Sequence, residues 1–445
     1  MRITLLTPGT GHFYCGNCLR DNALAHALHR QGHDVSMIPL YLPTYGEFDV
    51  TTPTPRVFLG GINMYLRHKL PAFGRLPGAL RRWLDAPGLL RFSSRRGDMT
   101  DAARHADLTL AMLRSDDAAH LDEIRVMLRW MREHDRPDVI NLCNILLAGL
   151  ARPLREELDV PLVITMHGEE AFLDALPKAK SEEAWSILRR RIRDLDACIA
   201  VSAYYARRMI ERLELDERRV HIVYNGIHLD DVAPPAARLD RGAPVIGYLA
   251  RMCPEKGLHT LVDAFIELHR RGTIPGLTLK VAGVQLKPDR RYVGELRHRL
   301  RAAGCLDAAS FLPNIPREAK LEFLGELDVL SVPATYGEAF GLYVIEAMAC
   351  GVPVVQPRHG AFPELIEQTQ GGLLCEPDDP RSLADQLERV LTDRALATRL
   401  SESGRRSVVE RFNADRMAGE VTAVYTSIFP RSAAVTATSL ATART

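Results

Sequence analysis

The chain has 445 residues, 46% of them hydrophobic and 25% charged, with 57 Lys and Arg against 56 Asp and Glu. One hydrophobic core seldom serves that length, so two domains of roughly 200 residues each, with a cleft between them, are expected. The balanced charge excludes a protein whose main task is coating nucleic acid, and the composition is far from that of disordered, collagenous or membrane-spanning chains.

The first apolar run, residues 1–8, is too short for a secretory signal and meets Gly9 and Gly11 at once. Nothing later reaches the ~18 uncharged apolar residues of a membrane span. A cytoplasmic location is therefore expected, with the eight cysteines mostly reduced. Short β-branched runs then alternate with helical stretches, the signature of βαβ units. In the first half strands are predicted at 3–7, 34–39, 139–142, 162–165, 197–201 and 220–223. In the second half they are predicted at 245–249, 277–281, 310–312, 329–332, 352–356 and 372–375. The fold class is α/β, with two doubly wound parallel sheets.

Between the two sets, prolines and small residues at 230–237 read as an interdomain connection. The division is placed at 1–238 and 239–412, followed by a helix at 413–430 packing back on the first domain and a disordered Ala, Thr and Ser tail at 431–445. Residues 67–104 carry nine Lys or Arg and three Asp or Glu among Leu, Trp83 and Phe side chains. That run reads either as a solvated face or as a peripheral contact with the inner face of a membrane. Cys15 and Cys18 read as plain thiols lining a loop, as a redox pair, or least readily as metal ligands, since no second close cysteine pair supplies a zinc site.

The chemistry concentrates in residues 335–355, which read as loop, helix, tight turn and buried strand. Gly341 at the helix start lets a diphosphate approach free backbone N–H groups, where the helix dipole also favours negative charge. Glu346 lies about a turn and a half further along that helix, within reach of a ribose on such a diphosphate. Arg251 and Lys256 follow the strand ending at Leu249, at the carboxyl edge where α/β folds bind ligands. Fixed cations there stabilise a departing nucleoside diphosphate without a metal, so no Asp-x-Asp metal site is required.

These residues resemble the GT-B glycosyltransferases of family 4, a retaining, nucleotide-sugar-dependent family. Glu338 and Glu346 match its paired glutamates, and Arg251 and Lys256 its donor-phosphate pair. The resemblance implies that Glu338 holds donor-sugar hydroxyls and Glu346 the ribose, with Ala339, Phe340, Gly341 and Leu342 completing the donor site. It further implies that His167, ending the strand at 162–165, faces the donor sugar, and that Gly11 belongs to a glycine-rich loop near donor and acceptor. Tyr224 stands where the family usually has proline. No organic cofactor or metal is implied. The donor is a UDP-, GDP- or ADP-sugar, and the acceptor a sugar, glycan or lipid. Other readings of the same scaffold are a sugar-nucleotide epimerase or hydrolase and a non-catalytic sugar-nucleotide sensor.

Overall fold

Apolar runs such as Val139–Leu142 and Ala197–Ala200 are buried along their whole length, as parallel strands covered by helices on both faces must be. The computed structural model describes residues 1–9, 16–42, 50, 52, 57–59, 102–115, 118–230, 232 and 242–429. Outside these lie Gly11, Cys15, most of the basic stretch at 67–104, most of the proline-rich connection with the boundary at 238, and the tail at 431–445.

The first sheet holds β1 (Arg2–Thr7), β2 (Asp34–Pro39), β3 (Val139–Leu142), β4 (Leu162–Met166), β5 (Ala197–Ala200) and β6 (Val220–Ile222) in the order β2-β1-β3-β4-β5-β6. The second holds β7 (Val245–Leu249), β8 (Thr278–Gly283), β9 (Ala309–Pro313), β10 (Val329–Leu330), β11 (Val354–Pro357) and β12 (Gly372–Cys375) in the order β12-β11-β10-β7-β8-β9. Every pairing is parallel. The strand order reverses at β1/β3 and again at β7/β10, and the crevice beyond the carboxyl ends at such a switch point is where open α/β sheets bind ligands.

Among the described residues, two of the places where the halves meet are held by hydrogen bonds to backbone groups. Ser202 Oγ donates to the Ala339 carbonyl at 2.6 Å, and Glu364 accepts the backbone N–H groups of Ala203 and Tyr204, each at 3.1 Å, capping the helix Ala203–Leu213 from the other half. At the second place the strands leaving the two halves cross: Ile227 N–H donates to Phe412 and Ala414 N–H to Ile227, both at 2.9 Å. Gly226 permits this crossing, because a Cβ there would sit 2.2 Å from the Asn413 carbonyl oxygen. Beyond it the helix Ala414–Ser427 packs on the helix Gly16–Arg30, joining the buried cluster of Ile3, Leu5 and Leu24. Among the described residues no helix is long and apolar enough to cross a membrane.

Candidate active site

Because the carboxyl edges of the two sheets face each other, the segments leaving β1, β4, β7 and β8 line one cleft of about 470 Å³. The first half contributes Gly9, Gly16, Asn17, His167 and Asn225 to its wall. The second half contributes Arg251, Lys256, Glu338, Phe340, Gly341, Leu342 and Glu346. The residues singled out in sequence therefore converge, apart from Ala339, which is buried beside the cleft against Gly168 of the opposite half, and Gly11, which lies outside the described residues.

Gly341 caps the helix Leu342–Ala349 with φ +90°, a left-handed conformation open chiefly to glycine, and a Cβ there would approach Phe362 to 3.0 Å. The N–H groups of Leu342 and Tyr343, which precede the first bond of that helix from Val344 N–H to the Gly341 carbonyl at 2.9 Å, have no preceding turn to bond to. Glu346, further along, accepts from Lys320 Nζ at 2.8 Å. Arg251 forms a two-pronged pair with Asp289, Nε to Oδ2 at 3.1 Å and Nη2 to Oδ1 at 2.9 Å. The Asp289 carboxylate also accepts Leu286 N–H, which fixes its plane.

Lys256 donates to Glu338 and, at 2.6 Å, to the Tyr336 hydroxyl, with its ammonium 5.0 Å from the Tyr336 ring centre. Burial alone would disfavour its charge, but the Glu338 carboxylate and the Tyr336 oxygen outweigh that and hold the ammonium above the usual lysine range. Tyr343 donates to the same carboxylate at 3.0 Å. Tyr336 also donates to it, at 3.3 Å, so Glu338 sits among three donors.

His167 follows β4 directly, and Glu169 fixes the turn by accepting His167 N–H at 2.8 Å. Burial, with the Arg20 guanidinium nearby, holds the imidazole well below the usual histidine range, so the ring is neutral. Its side chain is only 1% exposed. Arg20 and Asp21 form a buried pair beside it, Nη1 to Oδ1 at 3.0 Å, and Arg20 Nε donates to Asn225 at 3.2 Å. Cys18 is buried on the same helix with its Sγ 3.9 Å from Thr7 Oγ1.

Sequence reasoning missed Tyr336, Tyr343, Asp289, Lys320, Asp21 and Asn225. Tyr336 stands just before Glu338 and Tyr343 between the two glutamates, and Asp289 follows a proline at a helix start, so those three carried a local signal. Lys320 and Asp21 looked like ordinary solvated helix charges.

Comparison with known proteins matches both halves. Residues 92–231 match "Glycosyltransferase Family 4" and residues 232–407 match "Glycosyl transferases group 1". A glycogen synthase of Mycobacterium tuberculosis is 31% identical over 295 residues, which cover 65% of this chain and 69% of that protein. A D-inositol 3-phosphate glycosyltransferase of Nocardia farcinica is 32% identical over 275 residues, covering 57% of this chain and 58% of that protein. Among solved structures, a sucrose-phosphate synthase from Thermosynechococcus elongatus shares the fold with a TM-score of 0.69 at 21% identity, over 96% of this chain and 98% of that one. A cleft between two doubly wound sheets is the GT-B arrangement, and with matches in both halves and a relative aligned over most of its length, the chain belongs to the group 1 glycosyltransferases of family 4.

Proposed function

We propose that this glycosyltransferase moves a sugar, with retention of configuration, from a nucleoside diphosphate sugar lying against the second half to an acceptor hydroxyl presented by the first. The observation that carries this reading is the convergence of Arg251, Lys256, Glu338, the Gly341 helix start and Glu346 on one wall of a cleft whose opposite wall includes His167. Arg251 and Lys256, with the helix N–H groups, receive the diphosphate. Glu346 accepts ribose hydroxyls through the oxygen not held by Lys320, and Glu338 accepts donor-sugar hydroxyls. Solved structures of the same fold that hold UDP with glucose, or ADP, fit such a donor.

In the transfer the bond from the anomeric carbon to the diphosphate oxygen breaks while the bond to the acceptor oxygen forms on the same face. The departing diphosphate oxygen takes the acceptor's proton. Negative charge grows on the diphosphate as the anomeric centre becomes oxocarbenium-like, and Arg251 and Lys256 stabilise it where a metal would otherwise be needed. Incubation with UDP-glucose, GDP-mannose and ADP-glucose, with and without candidate sugar, inositol and lipid acceptors, followed by product mass spectrometry, tests the reading. Acceptor-dependent release of nucleoside diphosphate is the expected result. Release of nucleoside diphosphate and free sugar without an acceptor, or binding without turnover, would favour a hydrolase or a sensor instead.

A further inference from the structure

Below the cleft floor lies a group of buried polar atoms that the transfer scheme leaves unused. The helix Gly16–Arg30 turns Arg20 and Asp21 inward, with side chains 0% and 1% exposed. Burying two charges is costly unless geometry and further hydrogen bonds offset the lost hydration. Arg20 is held on both sides, by Asp21 and by Asn225, and Asn225 stands two residues before the crossing strand at Ile227. Asp21 Oδ1 lies 3.7 Å from His167 Nε2. Among the described residues, Asp21 Oδ2 and both ring nitrogens of His167 are buried without a hydrogen-bond partner.

Nearly all buried polar atoms in folded proteins are paired. Here the Asp21 oxygen nearest the ring, Oδ1, is held by Arg20 Nη1 on one side only, and the ring nitrogen facing it, His167 Nε2, has no other partner among the described residues. Their separation exceeds a hydrogen bond, as contacts in enzyme clefts commonly do before substrate tightens them. We propose that Asp21 is a positioning residue that accepts from His167 Nε2–H, fixing the imidazole's tautomer and orientation so that Nδ1 is left as the ring's acceptor for a donor-sugar hydroxyl. The last clause rests on the reading of His167 as a wall of the donor-sugar site.

The charges around the pair agree with this. Burial pushes the Asp21 carboxyl up to about 6, with the Arg20 guanidinium and the Cys143 thiol opposing, so at pH 7 the group is an ionised acceptor. Burial first, and the neighbouring guanidinium second, keep His167 from becoming imidazolium. A neutral ring beside a carboxylate presents Nε2–H to it, by the logic of carboxylate-oriented histidines elsewhere.

The test is long-range proton–nitrogen NMR of the full-length chain labelled in histidine nitrogen, at pH 7, with the His167 signals identified by their loss in His167→Gln. The expected result is a neutral ring protonated at Nε2. Replacing both charges together, Arg20→Met with Asp21→Leu, avoids stranding a buried ion and should shift the ring to a mixture of tautomers. In the same double variant, turnover of whichever of UDP-glucose, GDP-mannose or ADP-glucose the chain consumes should fall by about tenfold to a hundredfold with donor KM within about twofold, the signature of misplacement rather than lost binding. A ring protonated at Nδ1 or on both nitrogens, or an unchanged tautomer in the double variant, overturns the proposal. The tautomer is read without any donor, so these outcomes stand apart from failure of the reading of His167 as a wall of the donor-sugar site, which would show as His167→Gln turning over like the parent.

Discussion

Lys256 is occupied before any diphosphate arrives, since its ammonium already bridges Glu338 and Tyr336. A donor entering the cleft must share that cation with Glu338, so the diphosphate gains most from it once leaving-group charge has built up. Lys256→Met should therefore lower turnover by about a hundredfold or more while weakening donor binding much less. Single-turnover rates alongside calorimetric donor affinities check this, and parent-like turnover refutes it. The same argument expects chelator to leave the parent rate intact; loss of activity restored by magnesium or manganese would refute it. Glu346, proposed to hold the ribose in ground and transition states alike, is different, because Lys320 occupies only one of its carboxylate oxygens. Glu346→Ala should weaken free nucleoside diphosphate by about 1.5 to 3 kcal/mol, the worth of a hydrogen bond to a charged group. Unchanged calorimetric affinity would remove the ribose assignment.

The turn after β4 shows how an element carries a site. Glu169 accepts the His167 N–H, and burial raises its carboxyl from 4.5 to about 7. A carboxyl raised in the folded state contributes stability that is full below about 4.5 and is lost as pH climbs to about 7. That loss is worth roughly 3 kcal/mol at most. Glu169→Gln keeps an acceptor for His167 N–H without the charge, so its melting temperature should gain on the parent's progressively between pH 4.5 and 7; a constant difference across that range would show that Glu169 does not titrate there. The strands themselves were legible, because parallel strands buried on both faces must be continuous apolar runs, as in β3 and β5. Their ends were less so. The run predicted from 352 begins as strand only at Val354, because Val352 N–H closes the preceding helix on Ala347 and Pro353 has no N–H to give a ladder. The cleft glutamates were legible from local spacing around Gly341, and Arg251 and Lys256 from their place just after the strand ending at Leu249. Asp289 showed locally only as a helix start, and its partner did not show, since it meets Arg251 from 38 positions away through the pairing of β7 with β8. Lys320 and Asp21 read as surface charges because nothing local to their helices shows which face the opposite structure buries.

At the scale of the whole molecule the two halves are tied by a helix that belongs to one in sequence and to the other in packing. After the crossing at Ile227 and Asn413, the helix Ala414–Ser427 buries Met417, Ala418, Val421 and Tyr425 in the core of the first half. Met417 is fully buried, and its sulfur accepts Gly226 N–H at 3.2 Å, so one side chain both fills that core and touches the crossing. Met417→Ala should cost about 2 to 5 kcal/mol, the usual range for emptying a large buried side chain without full collapse of the cavity. The loss should fall on the first half, whose sheet the helix covers, while the groups proposed for nucleoside diphosphate binding all stand on the second. Urea unfolding followed by hydrogen exchange should accordingly show a lower midpoint with protection lost first in β1 and in the helix Gly16–Arg30, at a calorimetric affinity for nucleoside diphosphate within about twofold of the parent. An unchanged midpoint would mean that the helix merely rests on the first half. A large loss of nucleotide affinity would mean that the donor site depends on the first half being held in place, and the division of labour between the halves would have to be redrawn.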